Sequence, residues 1–248
     1  MMTSSNPTLG AFTKVGAMGL QRENAETMTI DGTIHKTGIL AVILMLCFGL
    51  TWSAITHEHI SIAPALYGGL FTGFILAMII CFVPTSAPYL SCLYAAAEGI
   101  CLGALSLAYE TKFHGIVMQA ALLTFATIFA MLFAYRTGLI VVNNTFRAVV
   151  TGAIMAILGF YVIGIICMFF GITLPGIGIQ SDLMSIGITC VIAVVAALSL
   201  ALDFDSIASN AGSAPKYMEW YGGFSLMVTV VWLYITLLRL LASVRGRN

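Results

Sequence analysis

Residues 87–109 read APYLSCLYAAAEGICLGALSLAY, with a single charged residue, Glu98, at the centre. A helix needs roughly 20 mainly apolar residues to cross a ~30 Å hydrocarbon core. This stretch is long enough, and no proline follows Pro88 to interrupt it. Apolar runs of the same kind recur on both sides, at about 38–55, 63–83, 114–134, 149–171, 184–202 and 221–242, making seven. Their unbroken apolar character excludes a membrane β-barrel, whose strands alternate over ~10 residues. Lipid offers no partner to free backbone N–H and C=O groups, so the runs must be helices. The expected fold is an all-α integral membrane protein with seven transmembrane helices.

Composition supports this. The chain has 248 residues, 60% hydrophobic and 8% charged, against about 25% charged in soluble domains. Twenty charges cannot cover a soluble surface of this size. A soluble enzyme, a nucleic-acid binder with a basic face and a disordered tail protein are all excluded. Ten basic and ten acidic side chains give zero net charge, and so no long-range preference for an anionic or cationic partner. The lipid bilayer is the expected partner, and nucleic acid is not.

Three regions follow. Residues 1–37 form a polar, partly disordered segment without the features of a secretory signal peptide. Residues 38–242 form the membrane domain, and 243–248 a short basic tail. Pro84 and Pro88 separate spans two and three. Pro175, Gly176 and Gly178 separate five and six, and Asn210, Gly212 and Pro215 separate six and seven. Loops on the N-terminal side hold Lys14, Arg22, Lys36, Arg136, Arg147 and Lys216, while Lys112 is alone on the other side before Arg245 and Arg247 of the tail. The positive-inside rule then places the N-terminus in the cytoplasm. The two tail arginines oppose a seven-span count, and a re-entrant span would reconcile them with it.

Charges inside lipid are costly, and residues that bear them usually face the bundle interior or a water-filled cavity. Glu98 lies about eleven residues from either end of its span and cannot snorkel to water. It is either an ion or proton site or a neutral carboxyl bonded to a neighbouring helix. Asp203 and Asp205 close span six; at i,i+2 they do not share a helix face, so only one is expected to point inward. Glu219 precedes span seven beside Trp220 and Tyr221, where an interfacial role next to Lys216 competes with a site role. Arg239, late in span seven, either snorkels or pairs with a carboxylate. Gly69/Gly73 and Gly99/Gly103 are GxxxG pairs that permit close helix contact, and the second abuts Glu98.

Enzyme readings fail. His35, His57, His59 and His114 all lie at or outside span ends, so no zinc hydrolase site is evident. Gly223-Phe224-Ser225-Leu226 lacks a nucleophile elbow and a histidine base. No phosphate-binding or dinucleotide fingerprint occurs. The six cysteines sit in apolar runs without metal spacing. No enzymatic activity and no cofactor are expected.

Leu202-Asp203-Phe204-Asp205, then Ala214-Pro215-Lys216-Tyr217-Met218-Glu219-Trp220-Tyr221, then Trp232-Leu233-Tyr234-Ile235-Thr236-Leu237-Leu238-Arg239-Leu240-Leu241 resemble the Bax inhibitor, or transmembrane Bax inhibitor motif, family in its bacterial branch. Glu98-Gly99-Ile100-Cys101-Leu102-Gly103 resembles that family's glutamate–glycine motif in the third helix. The resemblance covers about residues 35–242. It implies seven helices with the last one central, and a pH-sensitive calcium leak. It also implies a latch of two aspartates sharing a proton, one ending helix six and one in helix seven. Asp203 matches the first, but Thr229 stands at the second, and the family's charged residues of helix two are missing from 63–83. A carboxylate partner for Asp203 would have to be Asp205, Glu219 or Glu98.

The resulting expectation is a calcium leak channel or ion exchanger gated by protonation in a bacterial inner membrane. Asp203 is the gate, and Glu98 lines the path or couples to it. Both bind Ca²⁺ transiently, as a permeant ion alongside H⁺. The rival expectation is a membrane regulator that docks another membrane protein, a protease or cell-death factor, without transport of its own. A third reading is a proton-coupled transporter of a small solute.

Overall fold

The computed structural model describes residues 27–170 and 182–247. Seven helices follow one another: α1 (Ile30–Thr56), α2 (Ile62–Phe82), α3 (Ala87–Glu110), α4 (Ile116–Arg136), α5 (Asn144–Phe169), α6 (Leu183–Asn210) and α7 (Met218–Arg245). A 3₁₀ turn, Pro84–Ser86, joins α2 to α3. Each of the seven is long and apolar enough to cross a membrane. Among the described residues there is no strand, only an isolated antiparallel bridge between Thr27 and Pro215.

The helices outrun the apolar stretches that announce them. α1 starts at Ile30, inside the polar segment assigned to 1–37, because the Thr29 hydroxyl accepts the Gly32 N–H and caps the first turn. Asn143 and Asp182 cap α5 and α6 in the same way. Helical hydrogen bonding is internal to the segment, so a helix continues into the polar interface after the hydrophobic run has stopped. Residues 1–26, the Pro175 break and the last residue of the tail lie outside the described residues. All six cysteines are free thiols.

α3 and α7 form the interior. Within its apolar window α3 is 61% buried and α7 44%, against 11% for α5, which lies at the periphery. α7 packs against α6, α1, α4 and α3, so the expected central last helix is observed. Tyr94 of α3 meets Phe224 of α7 edge to face at 4.9 Å. Leu40, Leu44, Tyr94, Leu102, Phe224, Met227 and Val231 build the main core.

Glycines set how closely α3 is gripped. A Cβ on Gly69 would stand 2.8 Å from the Ala97 carbonyl oxygen and the Cys101 nitrogen of α3. One on Gly103 would stand 2.8 Å from the Phe48 carbonyl oxygen of α1, and one on Gly99 would collide with the Leu44 carbonyl. Both GxxxG pairs therefore seat a neighbouring backbone, α2 against α3 and α1 against α3.

α1 and α7 begin on the same side of the bundle. Glu219, in the first turn of α7, accepts from the Thr29 N–H at 3.1 Å and the Thr29 hydroxyl at 2.9 Å. From there α7 runs to the opposite side, so the two ends of the membrane domain lie on opposite sides and no re-entrant span is needed.

Candidate functional site

Asp203 lies two turns before the end of α6 and faces α7. Its Oδ1 accepts from the Ser225 hydroxyl at 2.8 Å. The Thr229 hydroxyl, one turn further along α7, faces the same carboxyl, while donating at 3.3 Å to the Ser225 carbonyl. The second carboxyl oxygen, Oδ2, is buried and has no hydrogen-bond partner. A buried unsatisfied acceptor costs about 1–3 kcal/mol, and more if charged. This carboxyl is the polar group at the α6–α7 contact whose needs the protein leaves incompletely met.

Beside it opens a cavity of about 50 Å³, lined by Met28, Asp203, Ser206, Ile207, Asn210, Met218, Tyr221, Gly222 and Ser225. A space of this size holds a few waters or a single hydrated group. Its outer wall is the strand-like stretch before α1. Met28 donates its N–H to the Ala214 carbonyl and accepts from the Gly212 N–H, both at 2.8 Å, and its side chain is buried. Asp203 thus sits roughly 10 Å below the end of α6, at the inner end of a mainly apolar vestibule on the N-terminal side of the bundle.

Asp205 points elsewhere. Its Oδ2 accepts from Arg147 Nη2 of α5 at 2.6 Å, and the Tyr135 hydroxyl of α4 stands 3.4 Å from Oδ1. Only one of the i,i+2 pair faces α7. Arg147 is half exposed, so this pair is an interfacial tie worth at most about 1 kcal/mol.

Glu219 is buried, at 2% exposure, but not in the Asp203 site. It fastens the start of α1, packed so tightly on Gly32 that no Cβ fits there. Glu98 sits between α3 and α2. Its Oε1 is 3.0 Å from where a Cβ of Gly73 would be, and the Tyr94 hydroxyl one turn back is its hydrogen-bond partner. Through the Tyr94–Phe224 contact, Glu98 reaches the residue of α7 that precedes Ser225. Arg239 lies about 21 Å further along α7 than Ser225, where Nη2 donates to the Tyr161 hydroxyl and the guanidinium stands 5.5 Å from the Tyr161 ring centroid. It pairs with no carboxylate among the described residues.

Of the five expected site residues, then, Asp203 alone faces the vestibule, and none of the others is its partner. Of the residues that complete the site, Ser225 and Met28 were not among the candidates, and Thr229 was singled out only through the resemblance, as the position of the family's second aspartate. Positions 222, 225 and 229 lie on one face of a helix, and that spacing of small and hydroxyl residues was the available cue. No group of three or more metal-ligating side chains occurs among the described residues.

No curated protein and no solved structure matches the chain. A family model described as Bax inhibitor 1 like matches residues 7–246. That span takes in all seven helices, the Glu98 motif and the Asp203 vestibule, and the chain belongs to the Bax inhibitor 1 like family of integral membrane proteins.

Proposed function

We propose that this protein is a calcium leak channel or ion exchanger whose opening is set by the protonation of Asp203. The observation that carries the reading is the buried Oδ2 without a partner, at the inner end of a small, mainly apolar cavity and on the contact between two helices. A neutral carboxyl there carries no charge to solvate: it accepts from Ser225 and leaves only an uncharged O–H without a protein partner. Once ionised, the same carboxyl holds a charge that one hydroxyl bond does not compensate. Water or a cation must then enter from the vestibule, or α6 and α7 must part. Calcium is a hard cation that takes oxygen ligands, and Asp203, Ser206, Asn210 and Ser225 supply oxygens around the cavity.

In this scheme the proton partner is not a second carboxylate. The α7 side of the contact is Ser225 and Thr229, so one aspartate titrates against two hydroxyls. Flux is low when Asp203 is protonated and rises as pH increases. Glu98 couples to the gate through Tyr94 and Phe224. The excess of Lys36, Arg136, Arg147 and Lys216 on the vestibule side supports a cytoplasmic vestibule, and a bacterial inner membrane is the proposed location.

The test is calcium flux into proteoliposomes containing only the purified protein, from about pH 6 to pH 8. Flux should rise with pH in the wild type. Asp203→Asn, which cannot ionise, should hold it low throughout, and Glu98→Gln should reduce it. No flux at any pH, with a stably co-purifying membrane protein, would replace this reading with that of a docking regulator.

A further inference from the structure

Near the other end of α7, Arg239 has no counter-charge among the described residues. Arg239 Nη2 donates to a neutral phenol, Tyr161, and the guanidinium leans on that ring. Its Nε–H is buried and has no partner. The acids on this side of the bundle are Glu58, Glu110 and Asp182, and none forms an ion pair with it. Glu110 accepts the N–H groups of Gly115 and Val117, and Asp182 caps α6 through the Ser185 N–H. The cation that ends α7, Arg245, is already spent on the His114 carbonyl and the Gln119 side chain.

Depth indicates where a counter-charge could come from. α7 has 28 residues and is about 42 Å long, some 6 Å longer at each end than a ~30 Å hydrocarbon core. Arg239 is six residues from the end of α7, about 9 Å, so centring α7 on that core puts its Cα roughly 3 Å inside the hydrocarbon edge. An arginine side chain spans that distance and reaches head-group phosphates. Guanidinium and phosphate are matched in geometry as well as charge.

We propose that Arg239, at the α5–α7 contact, binds a phosphate oxyanion, which at this depth is the head-group phosphate of an anionic phospholipid. One oxyanion on the Nη edge of the guanidinium supplies the missing counter-charge, while the buried Nε–H stays behind protein atoms. Tyr161 holds the guanidinium in place when the anion is absent. The inference is independent of ion transport by Asp203.

The experiment uses the full-length protein purified in detergent, with phosphatidylglycerol, phosphatidylcholine or inorganic phosphate added. Bound lipid is counted by native mass spectrometry and stability by thermal unfolding. The wild type should retain phosphatidylglycerol in preference to phosphatidylcholine and melt higher in its presence. Arg239→Gln should bind it about tenfold more weakly, the loss of one charge-assisted contact, and lose the thermal gain. Tyr161→Phe keeps the cation and removes its competing acceptor, so phosphatidylglycerol binding should persist. If Arg239→Gln does not fold, Arg239→Lys keeps the charge without the planar fork, and its binding should fall between wild type and none. Protection by inorganic phosphate equal to that by the lipid would assign the site to a free anion. Equal retention of phosphatidylglycerol by wild type and the Arg239 variants, or a wild type indifferent to all three additions, would overturn the proposal.

Discussion

Asp203 is set apart from the other acids by what its neighbours fail to provide. Asp205 has Arg147, Glu219 has Thr29 and Glu98 has Tyr94, whereas Asp203 has one oxygen bonded and one bare. The proposed gate can be tuned through that difference. The Ser225 hydroxyl favours the ionised form, because a donor to a carboxylate stabilises the charge. Ser225→Ala removes it, so a higher pH is needed to ionise Asp203. The pH of half-maximal calcium flux should rise by about one unit, the equivalent of one hydrogen bond to a charged group. Thr229→Asp should go further. Two adjacent carboxylates cannot both ionise cheaply, so activation should broaden into two steps, the second at higher pH than in the wild type. Asp203 and Glu98 were legible in the sequence because a charge stands out in an apolar run. Their partners Ser225 and Tyr94 were not, because serine and tyrosine are common in membrane helices and carry no such contrast; Thr229 stood out only through the family resemblance. Arg239 was legible as an anomaly, but its pairing with Tyr161 depends on where α5 lies, and local sequence does not specify that.

At the scale of the helix, two features hold the site in register. The glycine seams fix α3 between α1 and α2. Gly99→Ala and Gly69→Ala each force a methyl into a neighbouring backbone and should destabilise the protein by about 1–3 kcal/mol, read as a lower unfolding temperature in detergent. Gly68→Ala and Gly49→Ala meet nothing within 4 Å and should be neutral. The GxxxG spacing was visible in the sequence, but which helix each pair seats was not, since any pair of adjacent spans could have used it. The second feature is the clasp of Glu219, Thr29 and Gly32 that ties the start of α7 to the start of α1. Glu219→Ala leaves the Thr29 N–H and hydroxyl without their acceptor, which should cost about 1–3 kcal/mol even though the Thr29 cap on Gly32 remains. Asp182 offers a smaller pH effect outside the membrane. Its bonds to Ser185 and nearby N–H groups hold its carboxyl below the usual range. Its contribution to α6 is therefore present near neutrality and is lost as pH falls through that lowered value. Asp182→Ala should abolish the acid-dependent part of α6 fraying, measured by hydrogen exchange at the α6 start.

Over the whole molecule, the seven spans were legible because lipid makes hydrophobic length a strict requirement. Their true ends were not, since caps and interfacial turns follow hydrogen bonding rather than hydropathy. The central place of α7 follows from the bundle having to bury Asp203, Ser225 and Thr229 away from lipid. α5, with the least buried apolar window, is the helix with most freedom to respond to the bilayer, and its Arg147 and Tyr161 touch both ends of the machine. The most direct test of the central claim follows the Asp203 proton and the ion flux together. Infrared difference spectroscopy of the protein in liposomes, referenced to Asp203→Asn, reports the protonated carboxyl band across the pH range in which calcium flux is measured. The account predicts that the Asp203 band disappears as flux rises, with the same midpoint. Flux that rises with pH while the Asp203 band stays unchanged would contradict it.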